Sequence, residues 1–179
     1  MSALELVAQG TGAASLEAIA RRAGVGKQTI YRWWSSKSAL LVEAMTEYAR
    51  VEVQAPRTGD LPTRLEAFLV ATFRNGRRQA VAQALRAIMA EAQSDTAAAE
   101  VLAQFTAQRR SALRALFEDD ASERRLDPAE LDSIVDQAFG FIWYRLLVGH
   151  APLTQAAASR LADGLIRQAF RAAPRLGAR

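Results

Sequence analysis

The chain has 179 residues, half of them hydrophobic, with no cysteine and a formal charge of +4. That length allows one large domain, or a small domain on a larger one, with a real apolar core; the missing cysteine excludes disulfides and thiolate metal sites. No apolar run reaches a membrane span and no signal segment opens the chain, so the expectation is a cytoplasmic protein with no membrane partner, whose basic balance permits an anionic partner without specifying one.

With only 10 glycines and 5 prolines, and no alternating Val/Ile/Thr runs, the composition favours helix throughout. A short helix is expected over Ala3 to Gln9, ended by Gly10-Thr11-Gly12. Ser15 caps a second, with Leu16, Ile19, Ala20 and Ala23 inward, and Gly24 suits the left-handed position that stops it. A third runs from Lys27 to Trp34, and Ser35 or Ser36 caps a fourth with Leu40, Leu41, Ala44, Met45 and Tyr48 on one face. After the break at Ala55 to Gly59, Asp60 caps a fifth helix carrying Leu65, Phe68, Leu69 and Phe73. Val81, Leu85, Ile88 and Met89 mark a sixth, and Asp95 or Thr96 caps a long seventh with Val101, Leu102, Phe105, Leu113, Leu116 and Phe117 inward. The polar stretch Asp119 to Arg125 reads as a loop. Asp127-Pro128-Ala129-Glu130 then combines a cap, a first-turn proline and a capping-box glutamate. The eighth helix becomes apolar nearly all round through Phe141, Ile142, Trp143, Leu146, Leu147 and Val148. Beyond Gly149 to Pro152 a ninth shows Leu161, Ala162, Leu165, Ile166, Ala169 and Phe170, and the basic tail Arg171 to Arg179 reads as loose. The expected fold is all-α with about nine helices: an N-terminal helix-turn-helix three-helix domain over 1–48 and a larger helical domain over 49–179.

A helix in the major groove needs short or bidentate polar groups for base edges, and hydroxyl or cationic groups for phosphates. Lys27 and Gln28 open the third predicted helix: lysine donates to guanine O6 and N7, and glutamine pairs with adenine N6 and N7. Thr29 offers a hydroxyl or a methyl, Tyr31 lies one turn further on, and Trp33 carries a single indole donor. Ser15 and Lys37 sit at helix starts, where backbone N–H groups favour an anion. Plainer readings stand beside these. Lys27 and Lys37 also fit ordinary solvated cations, as do Arg21, Arg22 and Arg32, and Tyr31 and Trp33 fit core aromatics. Ile30 and Trp34 already supply the inward positions, which directs Tyr31 and Trp33 elsewhere.

The pattern Leu16-x-x-Ile19-Ala20-x-x-Ala23-Gly24-Val25-x-Lys27-x-Thr29-Ile30-Tyr31-x-x-Trp34-x-Ser36-Lys37-x-x-Leu40-Leu41 resembles the DNA-binding domain of the TetR (tetracycline repressor) family. The later helices resemble that family's C-terminal ligand-binding and dimerisation domain, and Trp143 to Leu153 is similar to a stretch of one subgroup, so the resemblance covers essentially the whole chain. It implies a third helix that reads the major groove and phosphate contacts from Tyr31 and Lys37. It also implies a homodimeric, ligand-responsive regulator, most commonly a repressor, acting at a palindromic operator and released by a small effector. The chain departs from the pattern at Gly26, where a capping Ser is frequent, at Trp33 for a frequent His and at Trp34 for a frequent Phe. Its first helix is shorter than usual and no basic arm precedes it, so the expectation is either a misplaced gene start or an absent arm. That shortened start leaves an alternative: a helical small-molecule-binding or interaction protein that has lost DNA binding.

The last two predicted helices carry more apolar surface than one small domain needs. They are expected to pair across a two-fold axis through Phe139, Ile142, Leu146, Leu161, Leu165 and Phe170. Phe68, Phe73, Leu85, Met89, Phe105 and Trp143 are candidates to line a cavity for a largely apolar effector, although residues at helical spacing also read as plain core; Asn75, Gln104 and Tyr144 are the few polar groups nearby. No catalytic residues, cofactor or metal site are expected. His150, the single histidine, sits by a Gly/Pro turn, and HExxH, a phosphate-binding glycine loop and Gly-x-Ser-x-Gly are all missing.

Overall fold

The structure, a computed structural model, describes residues 16–34, 36, 39–40, 42–44, 46–47, 53, 56, 58–119 and 126–172. The described residues are all-α, without a strand. Seven helices have both ends among them: α1 (Leu16–Ala23), α2 (Lys27–Trp33), α3 (Leu61–Gly76), α4 (Gln79–Glu91), α5 (Thr96–Glu118), α6 (Pro128–Val148) and α7 (Gln155–Ala172). Residues within 39–47 are also helical. The helix expected over Ala3 to Gln9, the cap at Ser15, Lys37, Leu41, Met45, Tyr48 and most of the 119–125 loop lie outside the described residues.

The chain forms two compact units, each discontinuous in sequence. One holds Met1–Glu52 with Asn75–Ala107, the other Val53–Arg74 with Gln108–Arg179. In the first unit Leu16, Ile19 and Ala20 are buried as their spacing requires, together with Ile30, Leu40 and Val42. Ala23, expected inward, is exposed, because it is the last residue before the turn. Val81, Leu85 and Ile88 of α4 and Phe105 of α5 are also buried. In the second unit Leu65, Phe68, Leu69 and Phe73 of α3 are fully buried, as are Leu113 of α5 and Ile134, Val135 and Ala138 of α6.

Helix ends follow local chemistry. Asp60 caps α3 by accepting from the Thr63 N–H at 3.0 Å. At α5 the cap is Asp95 rather than Thr96, with the Ala98 N–H donating at 2.7 Å. Before residues 39–47 it is Ser36, whose Oγ accepts from the Ala39 N–H at 3.1 Å. Asp127 and Glu130 form the expected capping box, with proline at the first helical position of α6. That helix stops at Gly149, whose φ of 70° is the left-handed cap glycine adopts without strain. Between α5 and α6, Arg110 pairs with Asp132 and Asp136, and Arg114 pairs with Asp132; within α5, Arg114 also pairs with Glu118. The Ser159 hydroxyl on α7 donates to Glu66 on α3 at 2.6 Å.

Candidate nucleic-acid interface

Three residues separate α1 from α2, and the backbone dictates what they do. Gly24 takes φ of 71°. The Val25 N–H reaches back to the Ala20 carbonyl at 3.0 Å and the Gly24 N–H to the Arg21 carbonyl at 3.3 Å. These are the two bonds of a Schellman motif, which consumes the last carbonyls of α1 and swings the chain sharply into the next helix. Gly26 is then the N-cap of α2, extended and without a side-chain cap, as its missing hydroxyl requires. The α2 helix ends one residue sooner than its sequence suggests, because Trp34 is extended and closes it with an N–H to Ile30 carbonyl bond at 2.9 Å.

This short helix has one buried residue, Ile30. Trp34 is half-buried and its indole N–H donates to the exposed Glu43 at 2.7 Å, so of the two residues placed inward by the sequence Ile30 is buried and Trp34 half-covered. Every other position of α2 is exposed, including Lys27, Gln28, Thr29 and Tyr31, with Trp33 68% exposed. Tyr31 and Trp33 therefore are not core aromatics. A seven-residue helix presenting a cation, an amide, a hydroxyl, a phenol and an indole N–H to solvent carries the donor set that base edges and phosphates accept. Of the other two residues with expected DNA contacts, Ser15 and Lys37, both lie outside the described residues.

Glu17, in the first turn of α1, was not among the expected site residues, yet it organises this surface. Its Oε1 pairs with Lys27 Nζ at 2.7 Å and accepts from the Tyr31 hydroxyl at 2.9 Å, while Lys27 Nζ stands 5.5 Å from the centre of the Tyr31 ring. The hydrogen bond to Glu17 raises the Lys27 ammonium pKa, and the same acceptor raises that of the Tyr31 phenol. The result is a charge-compensated triad at the start of the exposed helix. The sequence hides it, because Glu17 and Lys27 are ten residues apart and meet only through the Gly24 turn.

The expected cavity residues fall in both units. Phe68 and Phe73 are fully buried and Trp143 half-buried in one; Leu85 and Phe105 are buried and Met89 half-buried in the other. The expected dimer residues divide differently. Phe139, Ile142, Leu146 and Leu165 are covered within the single chain, Leu161 is half-covered, and Phe170 is 40% exposed. The large apolar surface left open on α6 is instead Tyr144, Leu147 and Val148, at 60%, 43% and 59%. Periodicity alone does not separate the two faces of a helix that is apolar all round. His150 packs at a tilt against Tyr144 with ring centres 4.6 Å apart, and Arg145 covers the Phe141 ring while donating to the Pro152 carbonyl at 2.7 Å, so this turn is held by packing and a helix-to-turn bond.

Comparison with known proteins bears directly on this surface. Residues 2–44 match the family described as bacterial regulatory proteins, tetR family, and residues 55–165 match the family described as tetracyclin repressor-like, C-terminal domain. The chain is 31% identical over 148 residues to the uncharacterized HTH-type transcriptional regulator YdeS of Bacillus subtilis, covering 80% of this chain and 73% of that one. It is 27% identical over 154 residues to the uncharacterized HTH-type transcriptional regulator Mb1581 of Mycobacterium bovis, covering 85% and 75%. Among solved structures it is similar to the TetR family transcription regulator SCO0332, with a TM-score of 0.77, 28% identity, and coverage of 93% of this chain and 96% of that one. Salmonella enterica GusR shares the fold, with a TM-score of 0.65 at 20% identity and coverage of 94% and 92%.

Proposed function

This chain is a helix-turn-helix transcriptional regulator of the tetR family of bacterial regulatory proteins, not an enzyme, and we propose that it is a homodimeric repressor that binds a palindromic operator and is released by a small, largely apolar effector. The observation that carries the reading is α2, a helix with one buried residue and an otherwise exposed polar and aromatic surface. Lys27, Gln28 and Thr29 open the helix and face base edges; Tyr31 and Trp33 meet the flanking phosphates, as do Ser15 and Lys37 at their helix starts. Residues 1–48 serve as the reading head and 49–179 as the effector-binding and dimerising body. Two such heads meet half-sites about 34–36 Å apart, or a multiple of it. Operator and effector favour different conformational states of the dimer, so each weakens the other by the same factor.

Titration against the DNA upstream of its own gene, with a random-site selection beside it, tests this. The expected result is sequence-selective binding that weakens steeply with salt. Binding to no duplex, even at low salt, would refute it. Within the selected motif, Gln28→Ala is expected to flatten one position while leaving affinity for unrelated DNA nearly unchanged, and an unaltered motif would remove Gln28 from base reading.

A further inference from the structure

Arg109 interrupts the apolar stripe of α5. Phe105 one turn before it and Leu113 one turn after it are both buried, so their four-residue spacing aims Arg109 inward as well. Its guanidinium carbon stands 5.1 Å from the centre of the Phe68 ring, and Phe68 has no exposed surface. The Nη2 atom is shut off from solvent and has no hydrogen-bond partner among the described residues. Burial pushes its pKa down to about 10, which still leaves the group charged at neutral pH.

The next arginines on the same helix are treated differently. Arg110 and Arg114, both reaching the surface, each have two carboxylates in range. Arg64 of α3 has Asp119 at 3.8 Å and the Pro56 carbonyl at 3.1 Å. Of these four, Arg109 is the one whose Nη2 is shut off from solvent without an acceptor among the described residues, while its charge lies over an aromatic face. A ring offsets part of the cost of a desolvated cation, but it does not satisfy an N–H in the guanidinium plane. A buried charge held without its counter-charge is expensive, and an anion that arrives from outside removes the expense.

We infer that Arg109 is an anion-recognition group in the body of the protein, and that the ligand it takes is an organic monocarboxylate whose apolar part packs beside Phe68. The inference rests on the reading of this body as effector-binding and gives that effector a chemical class. A carboxylate fits better than a phosphate ester for two reasons. One guanidinium cancels one negative charge, whereas a phosphate ester carries nearly two and leaves the surplus buried. The planar fork of arginine also matches the two oxygens of a carboxylate. An effector of this class is still largely apolar by area, and its charged head decides specificity.

Calorimetric titration of the full chain with decanoate and 1-naphthoate, each against its neutral amide, tests the assignment. In the unaltered protein at least one acid is expected to bind ten or more times more tightly than its amide. Arg109→Met, which keeps an unbranched apolar stem and removes the charge, should erase that preference and leave amide affinity within about twofold. Equal affinity for acid and amide, no binding of either acid, or an undiminished preference in Arg109→Met would overturn the proposal. Where Arg109→Met loses its helical circular dichroism, the Arg109 side-chain NMR resonance of the unaltered protein takes its place. Movement on adding decanoate supports the site, and no movement overturns it. Operator binding measured in parallel separates the two readings. Acid binding through Arg109 that leaves operator affinity unchanged keeps the site and removes its regulatory role; intact operator binding with no acid preference removes the site alone.

Discussion

Glu17 decides what the exposed helix offers to DNA. One of its carboxylate oxygens is shared by Lys27 and Tyr31, so two groups suited to DNA are already engaged when the protein is free. Ion pairs this exposed are weak in water, and a phosphate can displace the carboxylate. The carboxylate then remains beside the duplex as a like charge, which lowers affinity for every sequence. Glu17→Gln keeps a side-chain acceptor for Tyr31 but removes the charge. It is expected to tighten binding to unrelated DNA at low salt and to steepen the salt dependence, because the Lys27 charge is no longer neutralised beside the duplex. Adding Lys27→Ala should cancel both gains. Identical salt slopes for the unaltered protein and Glu17→Gln, measured by fluorescence anisotropy, would show that the pair does not restrain binding. The triad also marks where sequence reasoning stops at this scale. Gln28, Thr29 and Trp33 were legible because their exposure follows from Ile30 and Trp34 facing inward. Glu17 was not, because nothing local signals a contact made through a turn. Arg109 did leave a signal, a charged residue four positions from Phe105 and four from Leu113, that a search for apolar periodicity passes over.

At the scale of elements the caps were the most readable feature, since each depends on a few adjacent residues. Asp60, Ser36 and the Asp127–Glu130 box all act where their side chains predict. Gly26 shows the converse: α2 begins without a side-chain cap. Gly26 has φ of −67° and ψ of 145°, which any residue adopts, and an added Cβ would come no nearer than 3.7 Å to Thr29 Oγ1. Gly26→Ser is therefore expected to stabilise the head by a few tenths of a kcal/mol, a small rise in thermal midpoint by circular dichroism. A fall would mean that the added hydroxyl does not reach the first-turn N–H groups. Asp60 makes a different prediction. Its pKa is lowered first by the Thr63 side chain and then by the Thr63 N–H. A carboxyl with a lowered folded-state pKa contributes stability that is present above its unfolded value of about 4 and is lost as the pH falls through the folded value. Asp60→Asn retains an acceptor and does not titrate, so its unfolding should depend less on pH below about 4 than that of the unaltered protein. Superimposable acid-unfolding curves would count against the cap's share in acid stability.

For the whole molecule, the issue is what covers the outer face of α6. Tyr144, Leu147 and Val148 recur at helical spacing and so lie on one side, and Phe170 of α7 is 40% exposed. Gly140, one turn before Tyr144, is exposed, and a Cβ placed on it or on Gly164 of α7 meets nothing within 4 Å. A glycine inside a helix costs about 0.5–1 kcal/mol relative to alanine, a cost that close approach by a second copy would offset. Sequence periodicity does not separate the two sides of α6: Ile142 and Leu147 are equally apolar, and only packing shows that Ile142 is buried in the protomer while Leu147 is exposed. Leu147→Glu is therefore the decisive substitution. It places a charge on exposed surface, so the single chain should keep its helical content, while a buried interface would have to desolvate that charge. Sedimentation is expected to show a dimer for the unaltered protein and monomers for Leu147→Glu. Operator affinity should fall by a factor of at least about 100, because two linked heads bind their half-sites at a high effective concentration and separate heads do not. Gly140→Ala should act with opposite signs on the two properties, stabilising the helix and weakening association. A Leu147→Glu protein that sediments as an unaltered dimer would move the interface off this face. If Gly140→Ala also left association unchanged, the glycine would have no part in pairing.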